Sequence, residues 1–309
     1  MKLVAVTGAC GFIGRVVTER LLARGDAVYA VDALTYAADP SLPADWRTRY
    51  GSAFSFVPRD INDLGRLPDV DAVLNLAAES HVDNSIADAT RFLATNVSGV
   101  AHLLDLCRAS GTHDYRAPRF LHVSTDEVYG DLGSTEQPRV EVDPLVPSSP
   151  YAASKAAADL LVGAWARTHN VEYNIVRPTN VYGPSQHPEK LIPRAVRALV
   201  TGRSLPVHGS GLQTRQWLAV ADLATAILLV LDTAPANEVY NVGGNCEASV
   251  ADVVRAIGAR AASGFTRPGA DSRYALNDTK LRALGWQPAG DFWRDLPALV
   301  EAERTRFRW

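Results

Sequence analysis

The chain is poor in cysteine, in lysine and in any long run of one charge, and each shortage excludes something. Its three cysteines, Cys10, Cys107 and Cys246, are odd in number and far apart, which is no disulfide framework. The 31 basic and 34 acidic residues leave a net charge of −3. With no basic cluster there is no electrostatic footprint for nucleic acid or for an anionic membrane. No apolar stretch reaches the roughly 18 to 20 uninterrupted residues of a membrane span, and the longest, Ala224 to Leu231, reads as a core helix. Internal repeats and low-complexity tracts are missing too. Met1-Lys2 leads straight into a strand pattern without the layout of a signal peptide, so a reducing, cytoplasmic setting is expected. Lysine occurs only at Lys2, Lys155, Lys190 and Lys280, which makes a lysine inside a motif harder to dismiss as incidental.

What is present is enough apolar sequence for real cores: 47% of 309 residues are hydrophobic, sufficient for one large α/β domain and a smaller one. Leu3 to Thr7, Ala27 to Asp32, Phe54 to Arg59, Ala72 to Leu76, Arg119 to Val123 and Glu172 to Arg177 read as strands, the last stopped by Pro178. Helical periodicity separates several of them, as in Phe12 to Ala23 with Val16, Val17, Leu21 and Leu22 on one side. That alternation predicts an α/β fold with a Rossmann-type, doubly wound parallel sheet. The expected division is a cofactor domain over residues 1–177 and a smaller C-terminal α/β substrate lobe over 178–309, with the stretch around 216–236 returning to the first.

Gly8-Ala9-Cys10-Gly11-Phe12-Ile13-Gly14 puts three glycines between the first strand and its helix. Glycines permit the tight turn and let backbone approach a pyrophosphate, whose charge then sits at the helix N-terminus beside Phe12 and Ile13. Three glycines alone are a weak signal. Asp32 strengthens it, because it ends the second strand where a carboxylate can accept from both ribose hydroxyls and repel a 2′-phosphate, favouring NAD over NADP. Asp60 and Ile61 are candidates for the adenine edge, and Ala77 and Ala78 are small enough for a cofactor to pass. Cys10 reads as a filler of the loop.

Ser124-Thr125-Asp126-Glu127 follows the fifth strand and sets two carboxylates at its carboxyl end, where open α/β sheets bind ligands. Tyr151 and Lys155 have the spacing that stacks a phenol and an ammonium one helical turn apart. A neighbouring ammonium favours the phenolate, which can take a hydroxyl proton while the same carbon gives hydride to a nicotinamide. Ser124 or Thr125 can hydrogen-bond that hydroxyl, and Ser124, Tyr151 and Lys155 are expected to touch the cofactor as well. Ketone formation needs only the tyrosine. The adjacent Asp126 and Glu127 therefore argue for a second proton transfer, one carboxyl acting as acid and the other as base.

The order of these motifs resembles the extended short-chain dehydrogenase/reductase superfamily and, within it, the dTDP-glucose 4,6-dehydratases. Matching stretches are Thr7 to Gly14, Val31 to Tyr36, Leu76 to Asp83, Ser124 to Gly130, Ser149 to Lys155, Pro188 to Pro193, Arg215-Gln216-Trp217 and Arg267-Pro268-Gly269. The Thr125-Asp126-Glu127 triplet discriminates, since related epimerases and reductases usually lack the adjacent pair. The resemblance implies that Tyr151, aided by Thr125 and Lys155, takes the 4-hydroxyl proton of a nucleotide sugar as C4 passes hydride to NAD. Glu127 then removes the C5 proton, Asp126 protonates the departing 6-hydroxyl, and hydride returns to C6. It also implies Ser80, Asn180, Glu189, Lys190, Arg215 and Arg267 as substrate contacts, the cations serving the diphosphate, and a homodimer formed through Val97 to Leu106 and Ala152 to Ala164. No metal site is expected.

Four positions depart from the family pattern. Ala270 stands for an expected histidine, Asn84 for an arginine, His208 for a tyrosine and Val181 for a second asparagine. They bear on the nucleotide base and the sugar rather than on the catalytic set. Two further readings are a related NAD-dependent epimerase or decarboxylase, and a non-catalytic nucleotide-sensing protein on the same fold.

Overall fold

A computed structural model describes residues 1–110 and 117–307. Its strands are β1 Leu3–Thr7, β2 Ala27–Asp32, β3 Phe54–Pro58, β4 Ala72–Asn75, β5 Arg119–Val123, β6 Tyr173–Pro178, β7 Asn180–Tyr182, β8 Leu205–His208, β9 Thr214–Ala219, β10 Glu238–Val242, β11 Cys246–Ser249 and β12 Ala261–Phe265. Seven form one sheet in the order β10-β6-β5-β4-β1-β2-β3. Within it β1 runs parallel to β2 and β4, β2 to β3, β4 to β5 and β5 to β6. Runs such as Val4-Ala5-Val6 and Ala72-Val73-Leu74 are wholly buried, as a parallel sheet covered on both faces requires. The helices Gly99–Ser110 and Pro150–His169 supply Leu103, Leu104 and Val162 to the core that Val73, Phe120 and Ile175 share. Strand order reverses between β1 and β4, which opens a crevice at their carboxyl ends.

The chain divides into two compact units. The first comprises Met1–Thr125, Pro150–Arg177 and Ala224–Tyr240; the second comprises Asp126–Ser149, Pro178–Leu223 and Asn241–Trp309. This differs from the sequence expectation in two places. Residues 126–149 belong to the second unit, where Val146 N donates to Val128 O, Arg139 N to Ala275 O and the Tyr129 hydroxyl to Asn241 Oδ1. The returning segment is 224–240 rather than 216–236, because Gln216 to Leu218 lie in β9, paired with β11 and β7. Pro178 also closes β6 as its last residue instead of lying beyond it.

The second unit holds a three-stranded sheet, β11-β9-β7, and a parallel β12-β8 pair. Its core gathers Ile192 and Val196 from the helix Leu191–Thr201, Val254 from Val250–Ile257, and Phe292 and Leu296 from Phe292–Arg306. Trp217 of β9 stacks on Phe292 with ring centroids 4.9 Å apart. Burying a side chain of that size contributes about 1.5–3 kcal/mol. β9 is thereby held as a rigid strand, and it carries Arg215.

Candidate active site

In the first unit, β1 runs into Gly8, whose φ is +66°. A Cβ there would lie 2.7 Å from the Ala77 nitrogen, and one on Gly14 would overlap the Gly8 carbonyl oxygen. Both glycines are thus fixed by close backbone approach. Gly11 is the extended residue before the helix Phe12–Ala23 and places no side chain over its first N–H groups, which suits an anion. A cleft of about 360 Å³ opens beside this loop, lined among others by Gly8, Gly11, Asp32, Asp60, Ile61, Ala77 and Ala78. Phe12, Ile13 and Gly14 stand outside that lining; Gly14 serves the packing of the helix on the loop.

The Asp32 carboxylate is held at the cleft by two backbone donors. Cys10 N reaches Oδ2 at 2.9 Å and Leu34 N reaches Oδ1 at 2.7 Å, and each oxygen keeps a second lone pair. Burial pushes its pKa upward against those two donors. Asp60 also caps its own turn, accepting from Asn62 N and Nδ2 at 2.9 Å each. Thr35, Arg59 and Arg91 line the cleft as well. Sequence reading missed them, although Thr35 lies inside a stretch it had matched. A glycine cradle without room for a Cβ, with an anchored carboxylate at the end of β2, fits a dinucleotide.

The helix that carries Tyr151 and Lys155 begins with Pro150, the residue that best opens a helix because its missing N–H is not needed there. Tyr151 is buried, its N–H donates to Ser85 Oγ at 3.1 Å and its ring meets Phe92 edge-on. Lys155 Nζ donates to Val123 O at 2.7 Å and stands 3.4 Å from His122 Nε2. Burial depresses its pKa to about 8, and Asp159 opposes that shift. Asn96, in the wide turn Ala94–Ser98, donates to Glu79 O and Ser154 Oγ and accepts from Glu79 N, while Ser154 Oγ donates to Tyr151 O. It ties the Glu79 loop, where half-buried Ser80 lies, to the tyrosine helix. Nothing in the spacing of the sequence singled it out. Ser124 and Thr125 are buried at the end of β5.

In the second unit, Asp126–Tyr129 forms one tight helical turn closed by Gly130, whose φ is +73° and whose N–H donates to Glu127 O at 3.1 Å. A Cβ on Gly130 would overlap the Val146 carbonyl oxygen. Asp126 is buried and Glu127 half-buried. Burial raises the Glu127 pKa, and Arg215, Lys190 and Arg267 act against it in that order. The structure therefore brings four separately chosen residues into one electrostatic neighbourhood. Glu189 accompanies them, 3.7 Å from Lys190 Nζ. Asn180 pairs with Trp217 in the β7–β9 ladder, two positions along β9 from Arg215.

Two residues of this half were not anticipated. Arg215 donates to Thr214 O at 2.8 Å and Asp271 O at 3.0 Å, and its guanidinium lies 4.4 Å from the centroid of the Tyr274 ring. The Tyr274 hydroxyl donates to Asp271 Oδ2. Burial, Glu127 and Asp271 keep that phenol far above its ordinary pKa, so it stays a donor. Among the departures, Asn84 and Ala270 are exposed, while Val181 and His208 are partly buried.

A parallel sheet with this strand order, a glycine cradle after β1 and a buried Tyr151-x-x-x-Lys155 helix defines an extended short-chain dehydrogenase/reductase scaffold. The chain belongs to the NAD dependent epimerase/dehydratase family, whose model matches residues 4–243. It is 40% identical over 331 residues to the dTDP-glucose 4,6-dehydratase of Neisseria meningitidis, covering 97% of this chain and 93% of that one. It superposes on the solved dTDP-glucose 4,6-dehydratase DesIV of Streptomyces venezuelae, determined with NAD bound, with a TM-score of 0.91 and 39% identity over 98% of this chain and 97% of that one. The UDP-glucuronic acid 4-epimerase of Bacillus cereus superposes with a TM-score of 0.89 at 25% identity over 98% and 99%.

Proposed function

We propose that this protein is an NAD-dependent sugar-nucleotide 4,6-dehydratase, a hydro-lyase converting dTDP-glucose or a close dTDP- or UDP-hexose to its 4-keto-6-deoxy product. The observation that carries this reading is Glu127. It is a carboxylate whose pKa burial raises, with Arg215, Lys190 and Arg267 acting on it, one residue from a buried Asp126. An oxidation alone has no use for such a pair. The dTDP-glucose 4,6-dehydratase relatives support it, being similar over nearly the whole chain.

The first unit is assigned the cofactor, with Gly8, Gly11, Phe12, Ile13 and Gly14 at the pyrophosphate, Asp32 at the ribose, Asp60 and Ile61 at the adenine, and Ala77, Ala78, Ser124, Tyr151 and Lys155 toward the nicotinamide. NAD, when bound, supplies the hydride acceptor for C4 and the donor that later returns the same hydride to C6. The chain's own groups move the protons. Tyr151, kept as phenolate by Lys155 and aided by Thr125, takes the 4-hydroxyl proton. The resulting ketone acidifies C5–H, and Glu127 accepts that proton. Asp126 donates one to O6, which leaves as water, and C5 is reprotonated at the end. The second unit is assigned the sugar nucleotide: Lys190, Arg215 and Arg267 offset the diphosphate charge, with Asn180, Glu189 and, from the first unit, Ser80 along the substrate.

A homodimer through Val97 to Leu106 and Ala152 to Ala164 belongs to the same proposal. Leu160, on the second of these helices, is 68% exposed, an apolar surface that a partner copy would cover. Among the described residues no helix is long and apolar enough to cross a membrane, and the three thiols are free; a cytoplasmic site of action is consistent with both. Incubation with a panel of dTDP- and UDP-hexoses, read by product mass, tests the function. Loss of one water supports it, unchanged mass with an altered sugar supports an epimerase, loss of carbon dioxide a decarboxylase, and no turnover a sensing protein.

A further inference from the structure

A chain of buried polar groups runs behind Lys155, and the reaction proposed above makes no use of it. Ala77 N–H donates to Thr7 Oγ1 at 3.3 Å, and Thr7 Oγ1 donates to Asn75 Oδ1 at 2.7 Å. Asn75 Nδ2 meets His122 Nδ1 at 3.0 Å, and His122 Nε2 stands 3.4 Å from Lys155 Nζ. Thr7, Asn75 and His122 are at most 1% exposed and come from three adjacent strands, β1, β4 and β5. A core position gains nothing in stability from such groups over apolar ones of the same size, so their presence asks for a use.

Each member has a hydrogen-bond choice to make. Neutral imidazole carries a proton on one nitrogen only. With the amide nitrogen of Asn75 toward the ring, Nδ1 accepts and the proton sits on Nε2, facing Lys155. That suits an amine, whose lone pair accepts it. An ammonium has no lone pair and needs Nε2 to accept, which puts the proton on Nδ1 and calls for the amide oxygen of Asn75. Turning the amide over achieves this within the same volume, and the Thr7 hydroxyl can donate or accept. The contacts among Asn75, His122 and Lys155 are therefore met in two polarities, one for each charge state of Lys155.

We propose that His122 and Asn75 are positioning residues that let Lys155 pass between ammonium and amine inside the buried site, His122 answering by exchange of tautomer rather than by gaining charge. The inference rests on Lys155 acting with Tyr151 as assigned above. The charged groups around the pair are Asp159, on the helix of Lys155 with Oδ1 3.8 Å from His122 Nε2, and Arg177 of β6, 2.9 Å from Asp159 Oδ2. From β5 come the stacked Phe120 ring and the Val123 carbonyl, and from β4 and β1 the neutral Asn75 and Thr7. Burial, with Lys155 and Arg177 adding to it, holds the His122 imidazole well below its usual pKa, so protonation is closed to it.

Nitrogen-15 NMR of histidine-labelled protein across the pH range tests this without any turnover, so a failure of the dehydratase assignment would not be mistaken for a failure here. The His122 signals are assigned by their loss in His122→Phe. The expected result is a change from the Nδ1–H to the Nε2–H tautomer as pH rises through a single midpoint, absent in Lys155→Met. One tautomer throughout in the native protein overturns the proposal. In kinetics, His122→Phe removes the acceptor for the ammonium and should move the basic limb of kcat down by about one pH unit, the size of one hydrogen bond to a charged group. Asn75→Asp, which can only accept from His122, should move it up, with at least half of that rise lost when His122→Phe is added. Limbs that stay in place in both single variants also overturn it.

Discussion

Lys155 Nζ donates to the Val123 carbonyl oxygen at 2.7 Å, which pins the residue one helical turn from Tyr151 to the strand that delivers Ser124 and Thr125. Tyr151 and Lys155 are consequently carried by a helix locked to β5, with Ser124 and Thr125 directly after that strand. Lys155→Met should therefore leave the fold intact and lower kcat by about 10²-fold or more, the usual scale for losing support of a general base. Circular dichroism and steady-state kinetics on the same preparation would separate the two effects.

The depressed pKa of Lys155, about 8, gives opposite pH trends for activity and stability. In the proposed mechanism activity needs the ammonium, so kcat should fall as pH rises through about 8. Stability runs the other way: below that value the folded protein carries a buried charge that the unfolded chain would hold in water. Between about 8 and the ordinary lysine value of 10.5 the unfolded chain binds more protons at this lysine than the folded one, so its contribution rises with pH over that window. Denaturant titrations of the native protein and Lys155→Met across this range measure the difference between them.

Glu127 sits on the other side of the profile. Its raised pKa places the acid limb of kcat above the ordinary carboxylate range, because the base form is lost as pH falls through that value. Glu127→Gln should still build up a nicotinamide absorbance on mixing with substrate, yet release water about 10²- to 10⁴-fold more slowly. Stopped-flow absorbance and product mass follow the two events separately. Normal dehydration in this variant would assign the base elsewhere.

Gly14→Ala directs a methyl group onto the Gly8 carbonyl oxygen, and backbone cannot yield as a side chain can. The variant should lose about 1–3 kcal/mol of stability through overpacking and retain no dinucleotide on gel filtration. Gly11→Ala, where the nearest atom would be 3.3 Å away, should be the milder change.

Much of the nucleotide end was legible in the sequence because its signals have fixed spacing. β1, β2 and β5 are short apolar runs bounded by turn residues, and the glycines, Asp32 and the Tyr151–Lys155 pair stand at set distances from them. The second unit was harder, since β7 and β11 have three and four residues and exist through pairing with β9 far along the chain. Asn75, Asn96 and His122 are single polar residues whose neighbours come from other elements, and nothing in one sequence marks such an encounter. Tyr274 was missed for a different reason. An aromatic four residues past Ala270 reads as core until Arg215 is found stacked on it.

That stack supports one more prediction. Tyr274→Phe keeps the ring under Arg215 but removes the hydroxyl bonded to the Asp271 carboxylate, so the segment whose carbonyl oxygen accepts from Arg215 loses a tether while the charge of Arg215 stays. The expected effect is a rise in KM of roughly tenfold, the worth of one hydrogen bond to a charged group, with kcat little changed. A fall in kcat at constant KM would place Arg215 away from the diphosphate.

The most direct test of the account is the mass spectrum of the product formed from dTDP-glucose carrying deuterium at C4. The account predicts a product lighter than the substrate by one water, with the deuterium retained and found at C6. A product of unchanged mass, or one that has lost its deuterium to solvent, would contradict it.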